Sequence, residues 1–234
     1  MKKTLLILIV LFCWTASSAQ YNFYRIGVGL GGGATKYFGD VATNTRFSPS
    51  LNLSLDYLFT PFVSAGLEIQ KGTISAGDSI LDPHKRFFKN SYTSITAGGK
   101  IQLGQIANID FSNFLYSIRG LYVGTGVGVI MNDQKEIMRK KLQAGTPDGY
   151  YHFPGKDKSM ELIVPANIGI NFNFTDYWGY TRFIVTLNHQ FNVTFGEGLD
   201  GYNDPPAMFK NRNPDMYGYT TVGLKYLFGP EGIY

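Results

Sequence analysis

The sequence predicts an all-β protein, an eight-stranded antiparallel transmembrane up-and-down β-barrel. Eight segments of about ten residues or more alternate apolar and polar residues at a two-residue period, which marks strands with one apolar face. The connections between them alternate between short and long. Glycine is abundant at 28 residues and aromatics reach 15%, while charged residues fall to 16%, against about a quarter in ordinary soluble domains.

The segments follow in order. Tyr24–Ala34 sets Tyr24, Ile26, Val28 and Leu30 against Arg25, Gly27, Gly29 and Gly31. Ser48–Phe59 sets Leu51, Leu53, Leu55 and Tyr57 against Asn52, Ser54 and Asp56, and Thr60-Pro61 turns the chain tightly. Phe62–Lys71 and Asn90–Leu103 repeat the pattern, with Glu68, Lys100 and Gln102 on the polar side. Tyr116–Ile130 faces Val123, Val127 and Val129 outward and Gly124, Gly126 and Gly128 inward. Met160–Phe174 is the most regular, and Tyr180–Phe195 follows it. Asp215–Phe228 closes the series, with Met216, Gly218, Thr220, Val222, Leu224, Tyr226 and Phe228 on its apolar face. Segments of this length suffice for tilted strands to cross a hydrocarbon layer.

Loop lengths give the orientation. The connections Thr60-Pro61, Gly104–Leu115 and Thr175–Gly179 are short; Thr35–Phe47, Gly72–Lys89, Met131–Ser159 and Gly196–Pro214 are long. Short turns on the periplasmic side and long loops outside are the outer-membrane arrangement. An even strand number returns both termini to the periplasm. A soluble sandwich or lipocalin-like barrel would show the same alternation. Two features decide against it: the polar face is mostly Gly, Ser, Thr, Asn and Gln, and aromatics gather at one rim. Those aromatics are Tyr57, Phe59, Tyr116, Phe172, Phe174, Tyr177, Trp178, Tyr180, Tyr226 and Phe228, placed as an interfacial girdle requires.

Residues 1–19 read as a cleaved secretory signal and residues 20–234 as one barrel domain. Lys2 and Lys3 precede the apolar run Thr4–Trp14, and Ser17 and Ala19 supply small residues before a cut at Gln20. Phe12 before Cys13 argues against a lipid anchor, and the mature chain has no cysteine for a disulfide or thiolate site. Without the two signal lysines, 19 basic residues face 17 acidic ones. Nucleic-acid binding therefore has no electrostatic footing.

An eight-stranded barrel encloses little more than its own side chains. The inward face carries Arg25, Lys100, Arg182 and Lys225 against Asp56, Glu68 and Glu161. Opposite charges in so narrow a space are expected to pair, because unpaired ones lose hydration without compensation. The lumen is therefore expected to be plugged, with Tyr122 and Arg182 over the inward glycines.

No catalytic, cofactor or metal residues are assigned. Among eight-stranded outer-membrane enzymes, lipid A deacylases use a His-x-Ser pattern, and His189 has Phe191 where the nucleophile belongs. His84 and His152 fall in loops. Asp200-Gly-Tyr-Asn-Asp204 offers oxygen ligands for calcium but lacks an EF-hand's spacing and terminal Glu; an Asx-type turn explains it. The run Asp133–Lys141 reads as a solvated face that could also meet lipopolysaccharide phosphates.

Two resemblances extend this reading. Thr221, Gly223, Tyr226 and Phe228 are similar to the C-terminal β-signal of outer-membrane barrels, which implies recognition by the barrel assembly machinery. The opening RIGVGLGGGATKYFGDV, with Gly32, Gly33, Tyr37, Phe38, Gly39 and Asp40, resembles the first strand of small Bacteroidetes barrels, the PorG-like family of the type IX secretion apparatus. That resemblance covers about the first quarter of the chain. It implies a non-enzymatic membrane anchor with periplasmic secretion-system partners, docking through Gly104–Leu115. Physically, Gly39-Asp40 also reads as a plain turn. A free-standing surface barrel of the OmpX type, binding envelope lipid or external ligands through its loops, is the alternative, and a lipid hydrolase a remote one.

Overall fold

The computed structural model describes residues 22–41, 46–82, 84–106, 118–203 and 214–234. The expected signal segment lies outside them, as do Tyr116, Asp204 and most of Gly104–Leu115. The strands are β1 (Asn22–Phe38), β2 (Ser48–Thr60), β3 (Val63–Gly77), β4 (Phe87–Gln102), β5 (Leu121–Ile137), β6 (Lys140–Leu142), β7 (Tyr150–His152), β8 (Lys158–Thr175), β9 (Thr181–Thr194) and β10 (Met216–Ile233). A single helical turn, α1 (Leu103–Ile106), follows β4.

Eight of these strands close an antiparallel barrel in the order β1-β10-β9-β8-β5-β4-β3-β2, while β6 and β7 pair as a separate hairpin. Closure leaves no open edge, so every barrel strand finds hydrogen-bond partners on both sides. The first and last strands form the seam, paired from Asn22 with Ile233 up to Phe38 with Met216.

The wall is taller than the periodicity indicates. β5 runs on to Ile137 and β8 begins at Lys158, so the expected loop Met131–Ser159 is mostly strand and hairpin. β3 likewise extends to Gly77 and β4 begins at Phe87. These extensions carry polar and mixed faces, so an apolar–polar count misses them. They lift the outer end of the barrel beyond its apolar belt.

The seam contains one irregularity with consequences. Tyr24 pairs with Glu231 and Ile26 with Phe228, so Gly229-Pro230 makes two residues face one. Gly229 adopts φ +88°, a conformation that glycine takes without a Cβ penalty. Tyr24, expected outside, is buried against Phe23, Leu58, Ile184 and Leu227 at the short-turn end of the barrel. Arg25, expected in the lumen, instead sends its guanidinium to the hydroxyl of outward-facing Tyr57 at 3.4 Å.

Candidate functional site: a filled lumen and a capped outer mouth

Inside the wall the side chains form layers. At the short-turn rim, Arg182 donates to the Tyr24 hydroxyl at 2.6 Å and to Asp176 at 3.2 Å, with its guanidinium 3.9 Å from the Tyr24 ring centre. Asp176 itself organises the β8–β9 turn by accepting the backbone N–H groups of Trp178 and Tyr180.

Above this lies a quartet of charges. Lys225 of β10 donates to Asp56 of β2, and the Lys100 ammonium stands 3.9 Å from Glu68. Glu68 also accepts the Gln70 amide at 2.7 Å. These groups are mostly shielded from solvent, and pairing offsets part of the cost of removing them from water. Glycines make the room. A Cβ on Gly29 would stand 2.7 Å from Lys225, and one on Gly124 would stand 2.8 Å from Lys100. Tyr122 covers Gly169 in the same way and donates to Asn188 at 2.8 Å. The stems of two lysines and one phenol ring thus fill the space the inward glycines leave. Cavities of about 30 and 20 Å³ remain beside the quartet, each with room for a water molecule or two.

Next come amides. Gln70 donates to Gln190 at 2.6 Å, Gln190 to Asn192 at 3.0 Å, and Asn90 to Asn132 at 2.7 Å. Above them the interior turns aromatic, with Tyr37, Phe88, Tyr92, Tyr217 and Tyr219 packed around Ile74, Ile130 and Ile163.

The chain after β9 folds into this aromatic layer and closes it. Leu199 and Tyr202 are buried there. The Leu199 carbonyl accepts from Asn90 and Gln134, each at 3.0 Å, and the Tyr202 hydroxyl donates to the Met138 carbonyl at 2.7 Å. The Tyr37 hydroxyl bridges two buried carboxyl groups, 2.6 Å from Asp215 and 3.1 Å from Asp200. Burial pushes the Asp200 carboxyl well above its usual range, and the neighbouring Asp215 charge adds to this. Burial likewise raises Asp215, to about 7. Gly39 is needed beside them: a Cβ there would lie 2.9 Å from an Asp215 oxygen and closer still to the Tyr37 hydroxyl. Asp200 also accepts the Tyr202 N–H at 2.9 Å, the Asx geometry of a turn.

Several expected residues stand apart from the quartet. Glu161 lies at the outer mouth, where its carboxylate accepts the Gly198 N–H at 2.6 Å in place of a cation. The Arg25 guanidinium meets the Tyr57 hydroxyl rather than the quartet. Tyr37 and Gly39 of the first-strand motif belong to the cap, Phe38 faces outward against Phe191, and the Asp40 carbonyl accepts from Arg86. Of the residues resembling a β-signal, Thr221 is buried inside while Tyr226 and Phe228 face out and stack.

The outward face is apolar over the lower and middle wall. Leu30, Leu51, Leu67, Val127, Leu162 and Val222 are all exposed. Tyr57, Phe59, Phe172, Phe174, Trp178 and Tyr226 ring its lower edge. Toward the outer end the outward positions turn polar at Lys36, Lys71 and Thr93. In water such a belt would be an aggregation surface; in hydrocarbon it costs nothing. One polar pair interrupts it: the His189 Nδ1 and the Thr220 hydroxyl lie 2.8 Å apart on neighbouring strands. The deacylase pattern looks along the strand and so misses this cross-strand hydroxyl. The only signal was a threonine on the apolar face of the last strand.

No family model matches the sequence, and no curated protein matches it. Solved structures do. Neisserial surface protein A is similar over 87% of this chain and 97% of its own, with 10% identity and a TM-score of 0.48. Ail, the attachment invasion locus protein of Yersinia pestis, solved with the heparin analogue sucrose octasulfate, covers 88% and 99% at 11% identity and a TM-score of 0.47. OprG of Pseudomonas aeruginosa covers 88% and 98% at 10% identity and a TM-score of 0.38.

Proposed function

We propose that the chain is a non-enzymatic barrel of the bacterial outer membrane, an anchor and interaction component that works through its surfaces. The filled lumen carries this reading. From the Asp56–Lys225 pair to the Tyr202 cap, the interior is filled by side chains bonded to or packed against one another. A general pore needs a continuous wet path, and a hydrolase needs a base, a nucleophile and an orienting group together. The His189–Thr220 pair has no carboxylate against it among the described residues, and the strand N–H groups around it are spent in the ladder.

Its two membrane faces offer different partners. The first-strand motif supports the PorG-like reading, in which periplasmic secretion proteins dock on the short-turn side. The tall outer wall and the β6–β7 hairpin support the free-standing alternative, in which lipopolysaccharide or external ligands meet the outer end. In either case the residues resembling a β-signal serve the assembly machinery during insertion.

In-cell cross-linking of the tagged protein, mild detergent extraction and mass spectrometry test the anchor role. Recovery of periplasmic secretion-system components is the expected result. Recovery of the barrel with lipopolysaccharide alone would overturn it in favour of the surface barrel.

A further inference from the structure

The outward strip formed by β9, β10 and β1 differs from the rest of the belt. In one ladder row Ala34 pairs with Thr220, which pairs with His189. In the row above, Lys36 pairs with Gly218, which pairs with Phe191. The His189 ring leans over Gly218, 3.5 Å from where a Cβ would be, and the Phe38 ring closes the same niche from above. Nδ1 of His189 is engaged by Thr220, while Nε2 has no hydrogen-bond partner among the described residues. A polar nitrogen facing hydrocarbon is costly, and ionisable residues at membrane depth mark a partner or a function.

The row above shows what kind of partner. The Lys36 ammonium sits 5.6 Å from the centres of both the Phe38 and Phe47 rings, at the outer edge of the belt. It makes no ion pair with a carboxylate among the described residues. Lys71, two strands away, adds a second cation at the same edge. Two residues along β1 separate Lys36 from Ala34, about 7 Å at the rise of a strand. The strip therefore presents a cation at headgroup level and a hydrogen-bonding imidazole–hydroxyl pair just beneath it, with small side chains between.

We infer that this strip is a binding site for a phosphorylated lipid of the outer leaflet. Lys36 holds the phosphate, and His189 with Thr220 meets a hydroxyl or ester oxygen on the first carbons of an acyl chain. A second copy of the chain fits less well, because it would bring its own Lys36 against the first.

The inference rests on the membrane reading above, and the test separates the two. The full-length barrel is inserted into phosphatidylcholine nanodiscs containing a small fraction of diphosphoryl lipid A, and retained lipid is counted by native mass spectrometry. Lys36→Gln and His189→Leu are each expected to lower lipid A retention at least fivefold. Lys36→Arg should keep it, and Lys89→Gln, on another strand, should leave it unchanged. Equal retention in wild type, Lys36→Gln and His189→Leu would overturn the site while leaving the membrane barrel intact. A lipid-independent dimer abolished by His189→Leu would overturn it in favour of a second copy. Failure of the wild type to insert would overturn both readings.

Discussion

At the level of the apolar belt the interior is held by charge, Asp56 with Lys225 and Glu68 with Lys100. Above the belt it is held by rings, with two carboxyl groups bridged by the Tyr37 phenol. In the lower layer each anion has a cation. In the upper layer two acids share one donor and compete for protons. The same wall thus encloses a permanent plug and a titratable cap. Burial is compatible with ionisable groups in two ways, by neutralising them in pairs or by keeping them protonated.

The largest expected effect comes from unpairing the plug. Lys225→Met leaves Asp56 buried without its cation, and stability should fall by about 3–5 kcal/mol. Urea unfolding of the inserted barrel, followed by its heat-modifiable gel mobility, measures this. The double replacement Asp56→Leu with Lys225→Met should recover most of the loss; if it does not, the pair is more than compensated burial.

Removing the bridge of the cap comes next. Tyr37→Phe leaves two buried carboxyl groups without their shared donor, at a cost of about 1–3 kcal/mol. Hydrogen exchange should report it at residues 196–203 and leave the middle strands protected.

The pH response sharpens the contrast further. Asp200 and Asp215 are raised in the folded cap, so their contribution is fully present below the ordinary carboxylate range. For Asp215 it is lost as pH rises through about 7, and for Asp200 as pH rises well above the ordinary carboxylate range. Protection of residues 196–203, corrected for intrinsic exchange, should drop about a hundredfold between pH 5 and pH 8, roughly 2.7 kcal/mol. Protection of the quartet strands should not follow.

The smallest effect is expected outside both layers. Lys89 and Glu136 pair at 3.1 Å on the exposed outer wall, and Lys89→Ala should change stability by no more than about 1 kcal/mol. A larger loss would mean that the outer wall depends on its surface charges.

This division was partly legible in the sequence. The strands of the belt announced themselves because an apolar outer face and a packed polar inner face impose strict alternation. The quartet members Asp56, Glu68, Lys100 and Lys225 followed from that alternation. Arg25 and Tyr24 did not, because they lie opposite an irregularity at Gly229-Pro230, on the opposite end of the chain, which nothing in their own strand marks. The cap was hidden for a different reason. Asp200 sits in a loop with no period, and its partners Tyr37 and Asp215 lie 163 and 15 residues away, so no local pattern links them. The continuation of β5 through a charge run was equally unmarked, since beyond the apolar belt both faces of the wall carry polar residues.

The seam between β1 and β10 has a consequence for the order of assembly. Asp56 and Lys225 are 169 residues apart, and Tyr37 and Asp215 are 178 apart. Neither contact exists until the last strand meets the first. Contacts of such long range form late and slowly, because the chain between them must be ordered first. The plug and the cap therefore lock together in the same event that closes the wall. A chain halted before β10 would keep seven barrel strands, yet it would hold Asp56 without a cation and Tyr37 without Asp215.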